Sequence, residues 1–215
     1  MADSLVVDVG LGDRSVVGGK AAGLAELLRL GLDVPRGFII TRKAFEKCVR
    51  VSDDYSLEIS IPDDVREAVE QAATHLKQPL AVRSSATVED AQASSFAGVF
   101  HSELRVMPER VLHAARNCWA RAFSPEAVTH ALRNNVDPRR IAVPLVVQEF
   151  VDAEHAGVLF TQDPAGDDCA VLSYTAGSGD RLMQGEDAGK TLRIRDKAPT
   201  PFAKEMVKIG RRVEK

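Results

Sequence analysis

The sequence is poor in cysteine and has no long apolar run. Its three cysteines, Cys48, Cys118 and Cys169, are scattered, with no Cys-x-x-Cys pair and no Cys/His cluster. This excludes a disulfide framework and a structural zinc site. No apolar run approaches the roughly 20 residues of a membrane-spanning helix, so we expect no membrane partner. Since the N-terminus MADSLVVDVG also lacks the basic region and apolar core of a signal peptide, we expect a cytoplasmic location.

An excess of positive charge is also missing. The formal net charge is -3, from 28 basic and 31 acidic residues, whereas a dedicated nucleic-acid-binding protein normally has a basic face. We therefore expect no nucleic-acid partner. The 215 residues, 45% of them hydrophobic, are enough to bury a core, and we expect one globular unit of two subdomains.

Helical patterns are frequent in the first part of the chain and strand patterns dominate the rest. Helices are predicted to start near Gly18, Thr41, Pro62, Pro108 and Ser124, with strands at the GFII stretch, at 79–83 and at 100–106. Residues 51–60 are polar, and we expect them to be irregular. After the loop 134–140 we expect four strands, in AVPLVVQEFV, HAGVLFTQ, CAVLSYT and KTLRIR, and a last helix from Thr200. The fold class is therefore α+β, with a mixed α/β subdomain over 1–140 and a strand-rich subdomain over 141–215.

The stretch GGK at 18–20 is the first candidate for binding phosphate. Backbone N–H groups of a glycine turn that opens a helix, together with one ammonium group, can hold a phosphate. The surrounding residues match neither a Walker A loop nor a dinucleotide-binding fingerprint. Taken alone, Lys20 is therefore better explained as a solvated lysine.

The stretch AVRSSATVEDAQASSFAGVF at 81–100 places Arg83 at the end of an apolar strand. Two interpretations stay open. Arg83 pairs with Glu89 or Asp90, or its guanidinium is held by the strand against a phosphate, with hydroxyls of SSAT and amides of SFAG as further donors.

Two later stretches are weaker candidates. QEFV at 148–151 can present backbone groups to a purine edge beside an apolar wall at Phe150, or it is simply a buried strand that reaches the surface. Asp180, in the glycine turn GSGD, can hold Mg²⁺ through its carboxylate, although turn aspartates are commonly structural.

Taken together and in order, five stretches carry a specific resemblance: GGKAAGLAEL, GLDVPRGFIIT, VRSSATVEDAQASSFAGVF, NCWARAFSPEAV and VVQEFVDAEHAGVLFTQDP. They resemble the ATP-binding domain of the phosphoenolpyruvate synthase, pyruvate phosphate dikinase and rifampicin phosphotransferase family, from about Val17 onward. The resemblance implies an ATP-grasp-like nucleotide-binding domain of two subdomains, with ATP and Mg²⁺ as cofactors.

The resemblance also implies a role for individual residues. Lys20 and Arg83 match the catalytic cations that contact the nucleotide phosphates, and Gly98 matches the loop over them. Ser102 stands where the family usually has Thr. Gln148 matches a hinge glutamine, and Glu149, Phe150 and Val151 match the segment that meets adenine. Asp180 stands where a metal-binding Glu is usual.

In function, the resemblance implies an ATP-dependent phosphotransferase of the dikinase type. Such an enzyme phosphorylates a histidine on a separate swivelling domain, which passes the phosphoryl group to pyruvate or a similar small acceptor bound elsewhere. The family's later metal-binding and Gln/Arg blocks, and its phosphorylated histidine, have no match here. We therefore expect a C-terminally incomplete domain, truncated before the metal-binding block and inactive alone. The alternative is a stand-alone, non-catalytic module that binds a nucleotide or a partner.

Overall fold

The structure, a computed structural model, mixes helices and strands in two compact units, Met1–Phe150 and Val151–Lys215. It describes residues 4–87, 101–163, 165–167, 169–177, 179, 182, 189–194, 204–206 and 208–210. No helix in these ranges is long and apolar enough to cross a membrane.

Ten strands and five α-helices have both ends within these ranges. The strands are β1 Val6–Asp8, β2 Gly37–Ile40, β3 Val49–Val51, β4 Leu57–Ile59, β5 Leu80–Ser84, β6 Ser102–Val106, β7 Leu145–Glu149, β8 His155–Phe160, β9 Ala170–Ala176 and β10 Lys190–Ile194. The helices are α1 Arg14–Arg29, α2 Arg42–Cys48, α3 Asp63–Thr74, α4 Val111–Ala122 and α5 Pro125–Arg133.

The first unit is built on a five-stranded sheet in the order β1-β2-β7-β5-β6. Every neighbouring pair of strands is antiparallel. Successive side chains of a strand point to opposite faces, and both faces of the central strands are apolar. The sheet is therefore covered on two sides.

The main core lies on one face of this sheet. Side chains of β2, β5 and β7 pack there against α2, α3 and α4, and the set includes Phe38, Leu80, Val82, Leu145 and Val147. Trp119 of α4 is 1% exposed. Its indole Nε1 donates to the carbonyl of Val143 at 2.9 Å, and its ring packs edge-on against Phe45 at 6.0 Å. The buried indole N–H is thus satisfied by the segment that leads into β7.

Helix α1 covers the opposite face. Its residues Val17 and Ala21 form a second buried cluster with Val7 of β1, Ile39 of β2 and Val146 of β7. We call this side of the sheet the α1 face.

The second unit contains a three-stranded antiparallel sheet in the order β10-β9-β8. Leu172 and Ile194 are buried on it, and Leu159, Leu192 and Met206 pack against them. Residues 204–206 and 208–210 are helical, as expected for the last helix. The other residues of that predicted helix lie outside the described part of the chain.

Two details differ from the sequence expectations. Residues 51–60 were expected to be irregular, which is wrong, because β3 and β4 pair as an antiparallel hairpin. Its turn is held by Asp54, whose carboxylate accepts from Ser52 Oγ and from the N–H of Ser56. The compact units also divide after β7 rather than before it, since β7 pairs with both β2 and β5. The functional assignment of subdomains 1–140 and 141–215 stays a prediction.

Candidate functional site

Arg83 lies on an inner strand of the five-stranded sheet, next to the edge strand β6. Its strand, β5, lies between β6 and β7, and Arg83 pairs with Ser102 on one side and with Val146 on the other. Directly opposite residues of antiparallel strands project from the same face of the sheet. Since Val146 packs with α1, Arg83 and Ser102 lie on the α1 face, and both are exposed.

The structure bears in part on whether Arg83 pairs with a carboxylate or is held for a phosphate. Within 4–87 and 101–150, no carboxylate forms an ion pair with its guanidinium. Glu89 and Asp90, the alternative partners, lie outside the described residues.

Lys20 is brought close to the end of β5 by a break in α1. Gly18, inside the helix, has φ 80° and ψ 175°. The Gly19 N–H donates to the carbonyl of Ala86 at 3.2 Å, and the Ala21 N–H donates to Ser85 Oγ at 3.0 Å. Both chain neighbours of the exposed Lys20 are thereby tied to residues that follow Arg83.

These contacts correct one part of the expectation for GGK, the N–H groups that were to bind phosphate. A first helical segment begins at Arg14, where Asp13 caps it by accepting from the N–H of Ser15, and a second segment begins directly after the break at Gly18, as GGK predicted. The N–H groups of Gly19 and Ala21 donate within the protein. These two N–H groups are therefore not available to a phosphate.

The hydroxyls of SSAT also have partners within the protein. Ser84 Oγ donates to the carbonyl of His101 at 3.3 Å, Ser85 Oγ to that of Val17 at 2.8 Å and Thr87 Oγ1 to that of Ala142 at 3.4 Å. Ser84 and Ser85 are 1% and 0% exposed. The expectation that these two serines donate to phosphate is wrong, because the end of β5 turns their hydroxyls into the fold.

Gln148 and Glu149 of β7 use their side chains to hold the fold together. Gln148 is buried, lies opposite Ala81 and Gly37, and its Nε2 donates to the carbonyl of Pro35 at 2.9 Å. Glu149 lies opposite Leu80, on the face of the main core, and its Oε1 accepts from the N–H of Lys77 at 3.0 Å. Arg83, Ser102 and Gln148 are therefore on one face of the sheet, and Glu149 is on the other.

The backbone that follows is fixed as well. The Glu149 N–H donates to the carbonyl of Arg36 and the Phe150 N–H to that of Pro79, both at 2.9 Å. Val151, the first residue of the second unit, is 57% exposed. Contacts between this segment and adenine stay a prediction.

Arg105 is a neighbour of this segment that the sequence did not indicate. Its guanidinium carbon lies 4.7 Å from the centre of the Phe150 ring, a distance at which a cation attracts an aromatic face. Arg105 has φ 55°, at a register irregularity between β5 and β6. No short motif joins these two residues, so nothing in the local sequence could have found the contact.

Two predicted site residues, Gly98 and Asp180, lie outside the described residues. Among the described residues, one group has the composition of a metal site: Asp163, Asp167 and Cys169. Arg193 pairs with both carboxylates, at 3.4 Å to Asp163 and 2.5 Å to Asp167. Mg²⁺ prefers oxygen ligands alone, so an arginine-paired group with a thiol does not suit it.

The thiol beneath β5 does not take part in chemistry at neutral pH. Cys118 of α4 is fully buried, and its Sγ lies 3.9 Å from the carbonyl oxygen of Val82. Burial, with a smaller effect of the Glu103 charge, raises the pKa of Cys118 to about 12. A protonated, buried thiol is a packing group rather than a nucleophile.

Comparison with known proteins places this geometry in a family. Residues 14–58 and 53–208 match the family described as "Pyruvate phosphate dikinase, AMP/ATP-binding domain". A probable phosphoenolpyruvate synthase of Methanothermobacter thermautotrophicus is 32% identical, over 83% of this chain and 31% of its own length. A rifampicin phosphotransferase of Streptomyces sviceus is 36% identical, over 77% of this chain and 23% of its own length.

A third relative is the prodigiosin synthesizing transferase PigC of Serratia marcescens, 33% identical over 86% of this chain and 23% of its own length. The chain thus spans about a quarter to a third of the length of these relatives. Because the family match covers most of the sequence, the chain belongs to the family of pyruvate phosphate dikinase AMP/ATP-binding domains.

Proposed function

We propose that this chain binds ATP and is the nucleotide-binding part of a phosphoenolpyruvate synthase-like phosphotransferase. One observation carries the proposal. Lys20 and Arg83 are far apart in the sequence, but the structure ties their segments together. The two neighbours of Lys20 bond to Ser85 and Ala86, which closely follow Arg83. The family match supports it independently.

In this proposal the phosphates of ATP lie on the α1 face beside Arg83. An arginine fork can bind two phosphate oxygens at once, and a lysine ammonium adds a point charge. Both side chains are exposed, so the ligand can reach them. Ser102, opposite Arg83, supplies a hydroxyl, and the loop that contains Gly98 covers the phosphates.

The adenine is assigned to the segment from Gln148 to Val151. The N–H groups of Glu149 and Phe150 already donate to carbonyls of the protein, and the Val151 carbonyl accepts from the Ala153 N–H. The base is therefore assigned to the exposed Val151 and the Phe150 ring. The Gln148 amide contributes indirectly, by fixing the segment to Pro35.

The finer parts of the proposal follow from the resemblance and the relatives' names. The domain is ATP-grasp-like, and Asp180 contributes to binding Mg²⁺, which neutralises phosphate charge when bound. In the whole enzyme, ATP and water give AMP and phosphate while a histidine of a swivelling domain takes up one phosphoryl group. That histidine then phosphorylates pyruvate or a similar small acceptor.

The test is calorimetric titration of the chain with a non-hydrolysable ATP analogue, with and without Mg²⁺. We expect binding that Arg83→Ala weakens by about 1.5–3 kcal/mol, the scale of a charge-assisted hydrogen bond. Arg50→Ala is the matched control, since Arg50 is an exposed arginine of a strand in the β3–β4 hairpin. Equal affinity of the Arg83 variant and the wild type would refute the assignment of Arg83. Absence of binding by the wild type would favour a module that binds a partner instead.

A further inference from the structure

The break in α1 is bridged by a side chain from another part of the chain. In a regular α-helix the Ala21 N–H donates to the carbonyl of Val17, four residues earlier. Here the Ser85 hydroxyl stands in that bond: it accepts from the Ala21 N–H at 3.0 Å and donates to the Val17 carbonyl at 2.8 Å. A side chain inserted into the helical ladder is a recognised cause of a helix kink.

The Ser85 hydroxyl is enclosed within the fold. Ser85 is 0% exposed, so its hydroxyl does not reach a ligand on the surface. The contact is also tight, because a Cβ added to Gly18 would lie 1.4 Å from the Ser85 carbonyl oxygen. The close approach therefore needs glycine at 18, with its positive φ, and the two hydroxyl bonds need serine at 85.

We propose that Ser85 is a positioning residue that sets Lys20 relative to Arg83 and thereby determines the affinity for the polyphosphate of ATP. Ser85 follows Arg83 by two residues and comes directly after the last residue of β5. Its hydroxyl, together with the Ala86 carbonyl that accepts from the Gly19 N–H, holds the turn that carries Lys20. This inference rests on the proposed function, since it assumes that the ligand of Lys20 and Arg83 is ATP.

The predicted effect of removing the hydroxyl follows from the same geometry. In Ser85→Ala, the Val17 carbonyl and the Ala21 N–H lose their buried partner, and the helix is free to restore its own bond by moving the turn at Gly18. Lys20 moves with that turn. The affinity for ATP should fall more than the affinity for AMP, because the second and third phosphates of ATP carry most of the negative charge that the two cations bind.

The experiment compares ATP with AMP by calorimetric titration. We expect Ser85→Ala to weaken ATP binding about tenfold or more and AMP binding only slightly. The matched control is Ser84→Ala, since Ser84 is the preceding buried serine and bonds to His101 rather than to α1. Equal losses for ATP and AMP would mean a merely structural role, and unchanged ATP affinity would overturn the proposal outright.

A double variant tests whether Ser85 acts through Lys20. In a Lys20→Ala background, Ser85→Ala should cause no further loss of ATP affinity, whereas independent effects would multiply. If Ser85→Ala fails to fold, Ser85→Cys keeps the side-chain size with a weaker donor and should give the same ATP-selective loss in smaller degree. Wild-type affinities in that variant for both ligands would contradict the inference.

Amide hydrogen exchange tests the bond between the Ser85 hydroxyl and the Ala21 N–H without any ligand. The Ala21 N–H should exchange faster in Ser85→Ala than in the wild type, and at the wild-type rate in Ser84→Ala. Unaltered exchange in both variants would overturn the bridge. A different outcome is that exchange at Ala21 becomes faster in Ser85→Ala but the wild type does not bind ATP. That would overturn the proposed function and, with it, the role of Ser85 in ligand binding.

Discussion

Arg83 and Ser102 lie directly opposite each other on the neighbouring antiparallel strands β5 and β6, with both side chains exposed on the α1 face. Opposite residues on one face have Cβ atoms about 5 Å apart. A charge placed at position 102 therefore acts directly on the Arg83 guanidinium.

Ser102→Asp should lower the affinity for ATP about tenfold or more relative to Ser102→Asn, because the carboxylate pairs with Arg83 and repels phosphate. The two replacements have nearly the same shape, so their difference isolates the charge. Titration with a non-hydrolysable ATP analogue measures it, and the gap should narrow at high salt. Equal affinities of the Asp and Asn variants would show that Arg83 does not bind the phosphates.

Gln148→Met should reduce stability by about 1–3 kcal/mol, because the variant leaves the carbonyl of Pro35 without its buried donor. Urea unfolding followed by the fluorescence of Trp119, the single tryptophan, measures the loss. Gln71→Met, at an exposed position of α3, serves as the control and should change stability by less than about 0.5 kcal/mol. A loss no larger than in this control would show that the bond to Pro35 contributes little.

Two glycines should respond to alanine in opposite directions. At Gly37 a Cβ would lie 2.2 Å from the Val147 carbonyl oxygen, so Gly37→Ala should destabilise the sheet by about 3 kcal/mol or more. At Gly23, exposed in α1, a Cβ would meet nothing within 4 Å, and Gly23→Ala should stabilise the helix by about 0.5–1 kcal/mol. Thermal unfolding of both variants tests the pair, and a shift in the same direction for both would contradict it.

The free energy of unfolding should fall at alkaline pH through Cys118. Burial raises its pKa in the fold to about 12, from an ordinary thiol value of about 9. The neutral thiol is favoured in the fold, so its contribution is complete below about pH 9 and is lost as the pH rises toward 12. The slope is at most about 1.4 kcal/mol per pH unit.

Urea unfolding between about pH 8 and about pH 10.5 measures this effect. Cys118→Ala should show a shallower decline than the wild type, although it is less stable at neutral pH because it leaves a small cavity. Identical slopes would show that the thiol does not ionise on unfolding.

The elements around the site could largely be predicted from the sequence. The strand over 79–83 and the strand containing Gln148 were both expected from their apolar runs, and β5 and β7 lie there. The same apolar run predicted that Arg83 lies near the end of its strand. Strands β3 and β4 were missed because three-residue strands are too short to show an alternation.

The contacts between distant segments could not be predicted. Ser85 and Ala21 are 64 positions apart, and no periodicity relates them. A serine that donates to a phosphate and a serine that bridges a helix kink look alike in sequence, which is why one of the two interpretations of this stretch gave the hydroxyls of SSAT to a phosphate. Burial separates the two roles, and burial is known only once α1 is seen against the end of β5.

The position of β7 has a consequence for synthesis of the chain. It is the last strand of its sheet to leave the ribosome, yet it lies between β2 and β5. Until residues 145–149 emerge, β2 and β5 each keep an open edge of unpaired backbone groups, and such edges invite pairing with other chains. A fragment that stops in the 134–140 loop should therefore depend on chaperones or aggregate, whereas one that runs through Phe150 completes the sheet.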